Sequence, residues 1–209
     1  MPNWSLPFIT NSKDGSIKKV QHKVLTFDDL WDAYPGTPFF RTFVGGDKVP
    51  HIDPETGKEL FGNQCAIRVS HALYECGIKL KAFKGTRCWC CPSPDEHGKG
   101  IHSIRAQDLA DYLTKRPFAG CPKAIEVPAS NFDDILEDKK GIIFFKDYWR
   151  RKGETQPTGD HIDLWDKNEL AGSGFFGSTF RLNYSEQAER YADLSDLHKS
   201  KQILFWEIK

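Results

Sequence analysis

The stretch Gly62–Gly77, GNQCAIRVSHALYECG, decides how the rest of the chain is read. Ala66, Val69, Leu73 and Cys76 recur at the spacing of one helical face, and Gly77 supplies the left-handed position on which helices commonly stop. Asn63 is a residue type that caps helix starts. That places Cys65 at about the second helical position, in the turn whose backbone N–H groups have no partner within the helix. A free cysteine is ordinarily a small buried hydrophobe. At a helix start, however, converging N–H dipoles favour the thiolate, the form that attacks carbonyl carbon, and Arg68 one turn on adds positive charge. Cys76 is the internal control: it lies toward the negative end of the same helix, where a thiolate is disfavoured, and reads as packing.

Upstream of this helix, TFDDLWDAY predicts a first helix. Thr26 can cap it, Asp28 and Asp29 suit its positive end, Phe27, Leu30, Trp31 and Tyr34 share a face, and Pro35 stops it. The Gly- and Pro-rich residues 36–61 read as irregular. Downstream, SIRAQDLADYLTKR predicts a helix capped by Ser103 and ended before Pro117, and NFDDILED a short one. After residue 140 the pattern changes to strands: GIIFFKDYW, then HIDLW behind the polar loop KGETQPTGD, then ELAGSGFF after a turn, then KQILFWEI. Helices first and strands second predict an α+β fold, N-terminal helices packed on an antiparallel sheet. With 209 residues and no repeat, low-complexity tract or linker, residues 1–209 read as one domain.

The charge balance is even, 29 Lys and Arg against 29 Asp and Glu, which gives no basic field for nucleic acid and no polybasic stripe for a membrane. The first twenty residues lack the basic start and apolar core of a signal peptide, so export without a cleaved leader is expected. Four of the six cysteines, Cys88, Cys90, Cys91 and Cys121, crowd one region. With His97 and His102 nearby they invite a zinc reading, but adjacent Cys90 and Cys91 fit structural-zinc spacing poorly. Disulfides, one of them reaching Cys121, are the expectation, with no metal and no cofactor.

A nucleophilic cysteine needs a base, and the histidines are His22, His51, His71, His97, His102, His161 and His198. His71 is on the wrong side of the Cys65 helix. His161 opens a strand after a polar loop, and Asp163, two residues on, faces the same way and can orient the imidazole. Cysteine at a helix start with histidine later on a strand recurs in papain-like hydrolases.

The blocks GNQCAIRVSHAL, KKGIIFFK and GDHIDLW, with FDDLWDAY before them and LFWEI after, resemble in wording and order the type VI secretion amidase effector family 4, members of the NlpC/P60-like cysteine peptidases with a papain-like fold. The resemblance implies an antibacterial toxin, exported by the type VI secretion machinery, that cuts peptidoglycan stems between γ-D-glutamate and meso-diaminopimelate in the periplasm of a target bacterium. It implies Cys65 as nucleophile, His161 as base and the Cys65 N–H, with Asn63 or Gln64, at the oxyanion. A periplasmic immunity protein covering the cleft between helix and strand is the implied partner. The family sets a third, carboxylate member on the strand after the histidine strand; here ELAGSG carries Ser173 about there. Asp163 is the candidate for that role, with Ser173 and Glu169 as competitors. A cytoplasmic thiol acyltransferase and an inactive wall-binding module are the alternative functions.

Overall fold

The computed structural model describes residues 25–35, 53, 55–58, 60–89, 94, 98–150, 153–173, 178–179, 182–183, 185 and 195–209. The readings of the N-terminal residues through His22, of His51 and His97, of Cys90 and Cys91, and of residues 174–177 lie outside them.

Helix α1 (Phe27–Ala33) begins with a reciprocal cap: Thr26 Oγ1 accepts the Asp29 N–H, and the Asp29 carboxylate reaches back to the Thr26 N–H. It ends because Pro35 forces the residue before it out of helical geometry, and Tyr34 has ψ 133°. Helix α2 (Cys65–Glu75) starts one residue later than its sequence suggests. Gln64, not Asn63, is the N-cap, and Cys65 is the first helical residue. Asn63 still acts on the helix start: its Oδ1 accepts the Cys65 N–H at 3.3 Å, the two-residue reach of an Asx turn. Helix α3 (Ala106–Thr114) follows Arg105 with no side-chain cap. Ser103, expected as that cap, is instead held in an isolated bridge with Arg87 and gives its N–H to Ser70 Oγ of α2 at 3.0 Å. Helix α4 (Phe132–Ile135) continues a 3-10 turn at Ala129–Asn131.

The strands are β1 (Ile125–Val127), β2 (Lys140–Trp149), β3 (Gly159–Asp166), β4 (Glu169–Leu170) and β5 (Gln202–Glu207), in the antiparallel order β1-β5-β2-β3-β4. The architecture is α+β, as the helices-then-strands order predicts. One strand went unread in the sequence and one reading changes. β1 is too short to show alternation, and the ELAGSGFF strand is paired over only two residues before the chain turns at Ala171.

The sheet is apolar on both faces, which is why β2 reads as the unbroken run IIFF. Ile142, Phe144, Ile162, Leu164 and Trp206 pack with Leu30, Val69, Leu73, Leu109 and Leu113 of α1–α3. The alternate residues Ile143, Phe145, Trp165, Ile203 and Phe205 pack with Phe132, Leu136 and Leu197. Each such side chain, fully buried, is worth about 1.5–3 kcal/mol, against about 1 kcal/mol for a helix cap. The two clusters therefore hold the layers, and the caps only set where helices begin.

One irregularity prepares the site. Between Phe145 and Trp149 the β2–β3 register slips, with Asp147 at φ 50° and its N–H donating to Asp160 Oδ1 at 3.0 Å. Opposite, Gly159 lies under the Trp149 ring, where a Cβ would come within 2.1 Å of a ring atom. The bulge and the glycine together fix how β3 enters the sheet just ahead of His161.

Candidate active site

β4 pairs only with Trp165 and Asp166, so among the described residues the half of β3 that carries His161 and Asp163 has no strand beyond it. Helix α2 packs against β3 and brings its first residue to that imidazole. Cys65 is half-buried, and its thiol and the His161 imidazole line one cleft, close enough for the thiol to act on the ring. His161 Nε2 lies 3.3 Å from Asp163 Oδ2, which leaves Nδ1 as the ring nitrogen for the thiol. Burial works against the imidazolium. Tyr148, the Asp163 hydrogen bond, and Cys65 as both hydrogen-bond partner and charge outweigh it, and His161 is held well above the ordinary histidine value.

Asp163 has no exposed surface. Its Oδ1 accepts the Leu164 N–H at 2.9 Å, and the Gly172 N–H reaches Oδ1 at 3.1 Å and Oδ2 at 2.9 Å. Its side chain also faces the Tyr34 phenol, the two meeting beside Gly172, and the phenol in turn faces Arg68. A cleft of about 300 Å³ opens over Cys65 and His161 between Asn63, Gln64, Arg68, Tyr34 and Gly172. A second cavity of about 550 Å³ borders Cys65 on the side of Arg105, Gln107, Trp149 and Asp160. The thiol thus sits between two spaces, an arrangement that accommodates a chain running past it.

Cys65, His161 and Asp163, named from the sequence, are brought together. Ser173 and Glu169, the competitors for Asp163, do not line the cleft. The Ser173 N–H closes the turn on Leu170 O at 3.0 Å, and Glu169 pairs with Asp166. It is the neighbouring Gly172, through its N–H, that reaches the buried carboxylate. Sequence reasoning missed Gly172 and read Tyr34 only as part of an apolar face; the one signal at Tyr34 was the proline after it, which lifts that side chain off the helix end.

The cysteine cluster departs from expectation at Cys121. Cys88 is in a disulfide, but Cys121 is a free, buried thiol facing the Leu113 carbonyl at 3.6 Å, and burial pushes it up to about 11. Its partner Leu113 belongs to the last turn of α3. Cys76 is partly buried against the α1–α3 cluster, as expected. His102 is buried between Cys88, 3.7 Å away, and His71, 3.0 Å away. Among the described residues no group of three or more His, Cys, Asp or Glu is arranged to hold a metal ion.

A family model described as type VI secretion system (T6SS), amidase effector protein 4 (Tae4), matches residues 61–206, a span that contains Cys65, His161 and Asp163. The chain belongs to that family. Membership makes it an amidase effector of the type VI secretion system, an antibacterial peptidoglycan amidase. Two solved Tae4–Tai4 effector–immunity structures from Salmonella typhimurium, one a selenomethionine variant, are 18% and 19% identical, each covering 88% of this chain and 98% of theirs at a TM-score of 0.50. The effector Tae4 from Enterobacter cloacae is 22% identical over 88% of this chain and 96% of its own, at a TM-score of 0.47. The Salmonella structures share the α+β fold. No curated protein matches the chain.

Proposed function

We propose that residues 1–209 form one papain-like, NlpC/P60-type catalytic domain that hydrolyses the amide between γ-D-glutamate and meso-diaminopimelate in peptidoglycan stems. Cys65 is the nucleophile, His161 its base and Asp163 the group that orients the imidazole. The observation that carries this reading is the meeting of the Cys65 thiol, at the first turn of α2, with the His161 imidazole in one open cleft. The bond chosen rests on the resemblance of the GNQCAIRVSHAL and GDHIDLW blocks.

The thiol proton passes to His161 and the sulfur attacks the carbonyl carbon. The Cys65 N–H, held by Asn63 only at 3.3 Å, can exchange that acceptor for the developing oxyanion at the positive helix end. The imidazolium then protonates the departing amine, leaving a thioester on Cys65. Water, deprotonated by His161, hydrolyses the thioester and restores the thiol. Asp163, locked by backbone N–H groups, keeps the ring turned toward sulfur throughout.

The site of action is the periplasm of a target bacterium, reached through the type VI machinery. A cognate immunity protein is the expected inhibitor, since the Salmonella neighbours are effector–immunity pairs. Mass spectrometry of muropeptides incubated with the protein tests the reading. The expected products are γ-glutamyl stems and free diaminopimelyl fragments; intact muropeptides overturn it, and an acylated amine product replaces it with acyl transfer.

A further inference from the structure

His161 is faced by Cys65 from α2, by Tyr148 from β2 and by Asp163 on its own strand, with Arg68 and Tyr34 behind Asp163. Tyr34 is 2% exposed and stands just past the end of α1, outside the span that the family model matches. Its hydrogen-bond roles follow from chemistry. A guanidinium only donates and a carboxylate only accepts, so toward Arg68 the phenol oxygen is an acceptor and toward Asp163 its O–H is the donor. Burial first, and then the Asp163 charge, hold the phenol well above the ordinary tyrosine range, so the proton stays on oxygen.

Residue 172 makes the contact possible. A Cβ there would lie 2.6 Å from Asp163 Oδ2 and 3.1 Å from the Tyr34 hydroxyl, so any side chain would intrude where phenol and carboxylate meet. Among the described residues the phenol is the one side-chain donor facing Asp163 besides His161; Leu164 and Gly172 give backbone N–H groups.

We propose that Tyr34 is a positioning residue of the Cys65–His161 pair: its O–H, aligned by Arg68, fixes the Asp163 carboxylate and moderates the pull of that carboxylate on the imidazole. The proposal rests on reading Cys65 and His161 as the reacting pair. Loss of the O–H has two effects of different kind. The carboxylate loses a neutral donor and attracts the imidazolium more strongly, so the imidazole holds its proton to higher pH. The ring also loses a constraint, so turnover falls.

The test compares wild type, Tyr34→Phe, and protein carrying 3-fluorotyrosine at position 34, whose more acidic phenol donates more strongly in the same shape. NMR of the His161 ring gives its titration midpoint without any substrate, and muropeptide hydrolysis gives kcat. Tyr34→Phe should raise the midpoint by about half a pH unit or more and lower kcat by about tenfold to a hundredfold, the worth of a hydrogen bond to a charged group. Fluorotyrosine should lower the midpoint and keep kcat within about threefold. Midpoints unmoved in both proteins overturn the proposal, and if Tyr34→Phe does not fold, an unmoved fluorotyrosine midpoint overturns it alone. Wild type that leaves muropeptides intact defeats the amidase reading instead, while the NMR midpoints still decide the role of Tyr34.

Discussion

His161 and His198 are both partly buried histidines within hydrogen-bond distance of carboxylates, yet only one faces a nucleophile. His198 has Asp196 at 3.0 Å on Nδ1 and Asp133 at 3.3 Å on Nε2, and its ring lies against Phe132. It ties the 3-10 turn at Leu197–Lys199 to the start of α4, with both nitrogens committed to carboxylates. His161 gives one nitrogen to Asp163 and the other to a thiol beside a cleft. A third imidazole, His102, also lies near sulfur, but that sulfur belongs to the disulfide of Cys88 and has no proton to give. A His–Asp or His–Cys pair is therefore a weak sign of catalysis. The informative feature is asymmetry: a buried orienting carboxylate on one nitrogen and a free thiol in an accessible space on the other.

The sharpest break in that comparison is Cys65→Ala. Muropeptide hydrolysis should fall by about 10⁴-fold or more with an unchanged circular-dichroism spectrum, whereas Cys76→Ala should remain active. Given a periplasmic signal sequence, the wild type should lyse a Gram-negative host and Cys65→Ala should not; harmless, abundant and folded wild type would remove the antibacterial role. His161→Ala should match the loss in Cys65→Ala. Asp163→Asn should stay roughly 10- to 100-fold above both, because an orienting group costs less than the nucleophile or base; equal inactivity of all three would make Asp163 more than an orienter.

A proton measurement sharpens the same contrast. In Cys65→Ala the imidazole loses a hydrogen bond and a neighbouring charge, so the His161 NMR midpoint should drop from its raised position. The linked stability has a definite sign. A folded value above the unfolded one, about 6.5, gives stabilisation that is complete below that pH and is lost as pH rises through the raised folded value. The denaturation gap between wild type and His161→Ala should accordingly narrow toward alkaline pH, and a widening gap would contradict the raised imidazole. The smallest effect belongs to His198→Ala: kcat within about twofold, with a stability loss of about 0.5–1 kcal/mol and a Tm lower by about 2–4 °C. Activity loss on the scale of His161→Ala would erase the distinction between the two histidines.

What could be read from the sequence followed periodicity. The apolar face of the Cys65 helix, the IIFF run and the alternation in HIDLW each reflect a local repeat, and from them came the α+β layers, the thiol at a helix start and the two side chains on one face of β3. Where two local motifs use the same chemistry, the reading slipped: an Asx turn and an N-cap both employ an Asn acceptor, and they differ by the one residue that separates Asn63 from Gln64. ELAGSGFF looked like a strand by composition, but the turn beginning at Ala171 presents the Gly172 N–H to Asp163. Tyr34 and Asp163 meet only through tertiary packing, which no spacing encodes. Cys121 failed as a bridge partner for a similar reason, since crowding in sequence does not fix direction in space.

Strand β5 lies between β1 and β2, with Phe205 opposite both Ile125 and Ile143. Its side chains Ile203 and Phe205 enter one apolar cluster and Trp206 the other. During synthesis β2 and β3 can pair as neighbours while both clusters still gape, and neither closes until residues 202–207 have left the ribosome. Such long-range closure is slow and leaves apolar surface exposed in the meantime. The producing cell therefore handles an incomplete, aggregation-prone domain until β5 emerges, and a truncation before residue 202 should yield insoluble protein rather than a weakened enzyme.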